Sequence, residues 1–401
     1  MLPKGYYINS VPTHYIILSY KHTSLTVTLA TKMKCVIIGR KGCNSMIENT
    51  YHDQVNIENN TRLRGLLAEL PKFCGLFFRG IEPTTSSRTR IAYAYDLKVF
   101  FNFLVNNNPS LKSVGIRNLP IDTLDQIKAV DIEEYLEYLN YYTNDDKELI
   151  NQETGKKRKL ITLRSFYTYF FKKEMITSNP AILVNIPKLH EKEIIRLDVN
   201  EVAKLLDEVE SGENLTDAQK RYHKINGKRD LAIMTLLLGT GIRVSECVGL
   251  DINDVDFDNN GIKILRKGGN EVIVYFGEEV RSVLDEYLVE RKHTIPQEGH
   301  TNALFLSMQK KRISVRSVEN LVKKYSKLVT KLKRITPHKL RSTYGTNLYQ
   351  ETGDIYLVAD VLGHKDVNTT KKHYAAIEDS RRRSAANVVK LRESRKYDKN
   401  K

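Results

Sequence analysis

From Leu63 onward, apolar residues recur at i, i+3, i+4 spacing in four successive stretches, at 63–70, 91–104, 132–142 and 160–171. That spacing lays an apolar stripe along each helix, and the helices must bury their stripes against one another. Pro83, the cluster Asn106-Asn107-Asn108-Pro109 and Ser178-Asn179-Pro180 supply the turns between them. The last helix is predicted to begin at Lys156-Lys157-Arg158-Lys159 and to run through Arg164 to Lys172-Lys173. It carries seven positive charges and no negative one in 18 residues. Its apolar face (Leu160, Leu163, Phe166, Tyr167, Phe170) is expected to pack inward while the basic face meets phosphate.

Residues 183–198 have no clear period, contain Pro187 and are rich in charge, which reads as a linker between domains. Beyond it, Asp198 or Asn200 can cap a helix running through Leu205, and residues 229–238 form a second, buried helix. Gly239-Thr240-Gly241 then forces a tight turn before a helix starting near Val244. Short strands follow at 255–257, 262–265 and 272–275, and Gly268-Gly269 between the last two reads as a hairpin turn. The remainder, from Glu278, looks helical, with breaks at Pro296, Pro337 and Gly353.

The chain has 401 residues, a length that suits two or three domains, and 41% apolar content is enough for ordinary cores. No apolar run approaches the roughly 18–20 residues of a membrane span, so no membrane partner is expected. Cys35, Cys43, Cys74 and Cys247 are scattered without zinc-site spacing, which fits a reduced, cytoplasmic protein. With 64 Lys+Arg against 48 Asp+Glu, the net charge of +16 points to a polyanionic partner, because neutralising phosphates releases counterions. Residues 1–47 differ from the rest: they hold six Lys/Arg, no acid, and β-branched or Tyr-rich stretches at 15–18 and 25–29. An accessory DNA-binding module, a targeting leader, and translated sequence upstream of a start at Met46 all compete for this segment. The single Arg40 speaks against a leader.

Four clusters in the C-terminal half call for a joint explanation. They are Gly239-Thr240-Gly241-Ile242-Arg243-Val244-Ser245-Glu246; Lys267 on the hairpin; His338-Lys339-Leu340-Arg341; and Leu362-Gly363-His364 followed by His373-Tyr374. Singly, each has an ordinary role: Arg243 could pair with Glu246 on the surface, Lys267 could be solvated, and His338 could cap a helix. Tyr374 is one of 22 tyrosines and in isolation means little. Jointly, the order Arg, Lys, His-x-x-Arg, His, Tyr resembles the active-site pattern of the tyrosine recombinases, or phage-type integrases. The resemblance covers about residues 60–390 and is strongest over 229–250 and 335–376. Arg90, Tyr93, Asp96, Leu97 and Phe100 more loosely resemble the family's core-site DNA-binding domain.

The resemblance implies a mainly α fold with a small antiparallel β-sheet in the catalytic domain, arranged as a two-domain C-shaped DNA clamp. The expected division is an N-terminal extension at 1–58, a helical core-site DNA-binding domain at 59–182, the linker at 183–198, the catalytic domain at 199–390 and a basic tail at 391–401. Arg88, Arg90, Lys156, Lys157, Arg158, Lys159 and Arg164 are the candidate DNA-binding residues. The implied catalytic set is Tyr374, Arg243, Lys267, His338, Arg341 and His364.

The residue types suit the chemistry. A tyrosine hydroxyl has an ordinary pKa of about 10 and attacks phosphorus only beside a base, for which the family implies His338. Planar guanidiniums of Arg243 and Arg341 match the two non-bridging oxygens of the attacked phosphate. Lys267 can protonate the departing 5′ oxygen, and His364 is expected to bind the scissile phosphate. The phosphotyrosyl bond conserves the energy of the diester, so neither metal nor other cofactor is expected, and no Gly-x-x-x-x-Gly-Lys-Ser/Thr loop occurs. Expected partners are double-stranded DNA recombination sites, a homotetramer on DNA, and accessory DNA-bending or directionality factors. Arg381-Arg382-Arg383 and the apolar run Ala385–Val389 suit a tail packed on a neighbouring protomer. Integration or excision of a mobile element and chromosome-dimer resolution both fit. A type IB topoisomerase shares the chemistry, a DNA-binding protein with a decayed site disagrees with the complete set, and a zinc protein using His338, His364 and His373 lacks paired spacing.

Overall fold

A computed structural model describes two strands, Ile8–Val11 and Tyr15–Leu18, and residues 50–144, 147–189, 195–266, 269–364 and 367. The strands β1 (Ile8–Val11) and β2 (Tyr15–Leu18) pair antiparallel, Ile8 opposite Leu18. The second strand-like stretch at 25–29 and Met46 lie outside the described residues.

Helix α1 (Tyr51–Ala68) is started by a reciprocal cap, in which Asp53 N donates to Thr50 Oγ1 and Thr50 N donates to Asp53 Oδ2, each at 3.2 Å. It begins well before the apolar spacing predicts, because its first turns are polar and only Leu63 and Leu66 are buried. It also runs unbroken through residue 58, where the sequence suggested a division. Then follow α2 (Cys74–Gly80), α3 (Ser87–Asn107), α4 (Pro109–Val114), α5 (Thr123–Gln126), α6 (Ala129–Tyr138) and α7 (Glu153–Lys172). A small hairpin of β3 (Tyr142–Asn144) and β4 (Lys147–Leu149), which period alone did not reveal, precedes α7.

These helices enclose an aromatic core. Phe77 and Phe170 both meet Phe166 edge-on, with ring centroids 5.1 and 5.0 Å away, the arrangement favoured by the ring quadrupole. Leu160, Leu163, Phe166, Tyr167 and Phe170 of α7 are all buried, as the apolar face predicts. The basic face is different. Asp96 of α3 is 2% exposed, and it receives Arg158, Lys159 Nζ at 3.5 Å and Thr162 Oγ1 at 2.9 Å. Burying a carboxylate requires such partners, so part of the positive run serves to neutralise it.

The second core is built from α8 (Val199–Ser211), α9 (Asp217–Thr240), α10 (Val244–Gly249), a sheet, α11 (Glu278–His293), α12 (Val315–Val329) and α13 (Pro337–Thr352), with α14 (Ile355–Leu362) packed beside α13. The sheet is antiparallel in the order β5 (Val255–Asp256), β6 (Gly261–Leu265), β7 (Glu271–Tyr275), with Ile262 opposite Val274. The chain is therefore mainly α with a small antiparallel sheet in this half. No helix among the described residues is long and apolar enough to cross a membrane.

Among the described residues, the linker end and the start of α1 both meet the second half. Leu197 N, at the end of the linker, donates to Thr343 Oγ1 of α13 at 3.0 Å. At the start of α1, the Tyr51 ring lies against the second core beneath the Arg312 guanidinium, 5.0 Å from ring centroid to Cζ.

Candidate active site

The site is organised by the end of a helix. The last carbonyls of any α-helix lack intrahelical partners and carry the negative end of its dipole. Helix α14 ends at Gly363, whose φ of +63° closes the turn, with Gly363 N donating to Asp360 O and His364 N to Ala359 O, both at 2.8 Å. Three arginines from three other elements take the carbonyls that remain, and one of them shares Asp360 O with Gly363 N. Arg266, at the foot of the β6–β7 turn, donates from Nη1 to Asp360 O at 3.1 Å and from Nη2 to Val361 O at 2.6 Å. Arg341 of α13 donates to Leu362 O. Arg243, capping α10, donates from Nη2 to Gly363 O at 3.4 Å.

Each guanidinium is placed by local sequence logic. Helix α9 stops at Gly241, whose φ of +62° is left-handed. The space a Cβ would take there lies 2.4 Å from the Tyr344 ring and 3.0 Å from Leu362. Glycine therefore serves both the turn and the approach of α13 and α14. Arg341 Nη1 donates to the exposed end of that turn, Gly241 O, at 2.5 Å. Arg243 is fixed by Glu246: its Nη1 reaches Glu246 Oε1 at 2.8 Å, and its backbone N donates to Oε2 at 2.7 Å. The side chain of Glu246 is 4% exposed and that of Arg243 35% exposed, so the pair is a buried carboxylate holding a guanidinium that still faces outward.

Burial holds the Arg266 guanidinium below its ordinary range, as does Arg243 beside it, while the carboxylates of Glu246 and Asp360 pull the other way. Three cations thus share a small volume, each balanced by backbone carbonyls or by Glu246. Such a cluster is prepared for an anion.

His338 is exposed one residue inside α13, after Pro337, and shares a helical face with Arg341 at i, i+3. His364 is partly buried and directly follows the α14 terminus. The structure thus brings Arg243, Arg341 and the Gly363-His364 turn together, with His338 one helical turn from Arg341. Lys267, Gly268 and Tyr374 lie outside the described residues, as do Arg381–Arg383 and residues 385–389. Among the described residues, no group of three His, Cys, Asp or Glu is placed to hold a metal.

The predicted DNA-facing residues separate. Arg88 is exposed, and Lys157 is partly exposed. Arg90 is 8% exposed and directed to Asn60 Oδ1 at 3.4 Å and Glu82 at 3.5 Å. Lys159 is buried beside Asp96, where desolvation lowers its pKa more than Asp96 raises it. Arg164 binds carbonyls on either side of the start of the linker, Ala181 O at 3.1 Å and Val184 O at 2.6 Å. Lys156 pairs with Glu153 at 3.0 Å, and Arg158 with Asp96. An unbroken positive face cannot form where its members must serve buried acceptors.

Sequence reading missed Arg266. The only signal was a second basic residue next to Lys267, indistinguishable from a solvated turn residue until its carbonyl partners are known.

Comparison with known proteins gives the family. Residues 196–381 match the model of the phage integrase family. The chain is 35% identical over 313 residues to tyrosine recombinase XerC of Caldanaerobacter subterraneus subsp. tengcongensis, covering 75% of this chain and 81% of the relative. It is 30% identical to tyrosine recombinase XerD of Staphylococcus saprophyticus, covering 74% and 90%. Among solved structures, the XerH site-specific recombinase bound to palindromic difH substrate is similar in fold, with a TM-score of 0.56 at 20% identity over 76% of this chain and 80% of that one. The Tn1549 transposon integrase in complex with circular intermediate DNA has a TM-score of 0.55 at 22% identity, over 78% and 98%. The chain belongs to the tyrosine recombinase family, the enzymes of site-specific DNA recombination.

Proposed function

We propose that the protein cuts and rejoins duplex DNA at specific sites through a covalent 3′-phosphotyrosyl link to Tyr374. The observation that supports this best is the gathering of Arg243 and Arg341 at the Gly363-His364 turn, a dicationic seat beside a histidine. In this reading the two guanidiniums grip the non-bridging oxygens of the scissile phosphate and stabilise the charge that develops on them. His338 accepts the Tyr374 proton as the phenolic oxygen attacks phosphorus. The P–O5′ bond breaks, and the leaving oxygen takes a proton from the Lys267 ammonium to depart as a 5′-hydroxyl. His364 donates a hydrogen bond to the phosphate. Attack by the 5′-hydroxyl of a partner strand reverses every transfer, so the exchange is nearly isoenergetic.

Pairwise exchange through a four-way junction calls for a homotetramer on two duplex sites, each protomer closing as a C-shaped clamp, with accessory DNA-bending or directionality factors. The biological event is integration or excision of a mobile element. A second reading, chromosome-dimer resolution, is favoured by the XerC and XerD relatives. The experiment is strand exchange between two labelled duplexes carrying the candidate site. Recombinant products support the proposal. Relaxation of supercoiled plasmid with no exchanged strands would instead indicate a topoisomerase of the IB type. Products from sites at the ends of an adjoining mobile element, against products from a chromosomal terminus site, separate the two biological readings.

A further inference from the structure

Arg266 is the third guanidinium at the end of α14 and has no part in the chemistry described so far. Its geometry is specific. Both terminal nitrogens are committed to consecutive carbonyls, Asp360 O and Val361 O, ninety-four and ninety-five positions away in the chain. The side chain lies flat over Gly363: a Cβ there would meet Arg266 Nη1 at 2.1 Å and Cζ at 2.5 Å. Glycine suits this position through its left-handed φ, and it also leaves room for the guanidinium, which a Cβ would displace. The same residue closes the hairpin turn by backbone, since Arg266 N donates to Asn270 O at 2.9 Å and Gly269 N donates to Arg266 O at 3.1 Å. One residue thus clamps the base of the β6–β7 turn and fastens that turn to the segment ending in His364. A cation is favoured at a helix C-terminus, and a planar fork holds two carbonyls in a fixed geometry that a flexible ammonium does not.

We infer that Arg266 is a positioning residue, which ties the β6–β7 turn to the end of α14 and thereby sets where the turn delivers its proton donor relative to the phosphate seat. The inference rests on the assignment of Lys267, the next residue, as the acid for the 5′ leaving group. It concerns the described arm to which Lys267 is attached. Without the tie the arm can sample many orientations, and general-acid catalysis, typically worth about 10²–10⁴-fold, falls with the fraction of time the donor is within reach.

The test is single-turnover cleavage of a nicked suicide substrate in two forms, one with the ordinary 5′ oxygen and one with a 5′-bridging sulfur, whose thiolate leaves without a proton. Full-length protein is compared with Arg266→Ala, Arg266→Lys and Lys267→Ala. Arg266→Ala is expected to slow the oxygen substrate by about tenfold or more and to leave the sulfur substrate near the unaltered rate. Arg266→Lys keeps the charge but not the fork, and is expected to fall between the two on oxygen. Equal slowing of both substrates by Arg266→Ala would overturn the inference, because it would mean a direct phosphate contact or a folding loss. So would unaltered rates on both. If Lys267→Ala is not rescued by sulfur, the acid assignment itself fails and takes this inference with it. If Lys267→Ala is rescued and Arg266→Ala is not, only the positioning role is lost.

Discussion

Arg341 Nη1 donates to the Gly241 carbonyl at 2.5 Å across one hundred residues of chain. That bond makes the turn after α9 and helix α13 a single unit, and Arg243 stands two residues beyond the turn. Gly241→Ala would force a left-handed φ on a residue with a Cβ and press it into the Tyr344 ring. The expected cost is about 1–3 kcal/mol of stability, read by denaturant unfolding. Cleavage should slow beyond what the unfolded fraction explains, since both guanidiniums shift. An alanine variant with unaltered stability and rate would show that the turn does not set the seat.

Asp96 is expected to be a stability residue. It is buried between Arg158, Lys159 and Thr162. Asp96→Ala leaves the buried Lys159 ammonium without its carboxylate, with an expected loss of roughly 3–5 kcal/mol. Thermal or urea unfolding checks this, and a loss under about 1 kcal/mol would place the pair with weak surface bridges.

The basic residues of α3 and α7 should divide in DNA binding as they divide in burial. Lys157→Glu and Arg88→Glu are expected to weaken binding to any sequence and to lower the salt slope by about one per lost phosphate contact. Lys159→Met should leave the slope unchanged while altering stability. Titrations at several salt concentrations decide it, and a changed slope for Lys159→Met would return that residue to the DNA face.

His52 gives the contact between α1 and the second core a pH dependence. Burial lowers its pKa from the ordinary 6.5, and the Arg312 and Arg88 guanidiniums add to this against the opposing pull of Asp53 and Asp251. The unfolded chain therefore takes up the proton first as pH falls. The stability is fully present above about 6.5 and is lost as the pH drops below it. His52→Gln should flatten stability between pH 7 and 5 relative to the unaltered protein. An identical pH profile in both would remove His52 from that account.

Much of this architecture was legible as periodicity. The buried face of α7, the buried C-terminal part of α9 and the β6–β7 hairpin follow from local spacing and turn chemistry, whereas the polar first turns of α9, from Asp217, and its run through Gly239 and Thr240 to a stop at Gly241 do not. Long-range polar partnership was not legible. Lys159 and Arg164 read as surface charge because nothing local shows that Asp96 or the Ala181 and Val184 carbonyls need them. The start of α1 was hidden for a related reason: its polar first turns are capped by Thr50 and Asp53, and Tyr51 packs on a core built from residues well over a hundred positions away. In the site, the motif residues could be found by order and type. The helix end that gathers Arg243, Arg266 and Arg341 could not, since it is made of backbone carbonyls that every sequence shares.

The proposed reaction requires the phenolic oxygen of Tyr374 to become bonded to DNA. The most direct measurement is a denaturing gel of protein incubated with an end-labelled, nicked suicide duplex, followed by protease digestion and mapping of the DNA-linked peptide. A protease-sensitive covalent band that maps to Tyr374 and vanishes in Tyr374→Phe is expected. A band of undiminished yield in Tyr374→Phe, or a linked peptide from elsewhere in the chain, would contradict it.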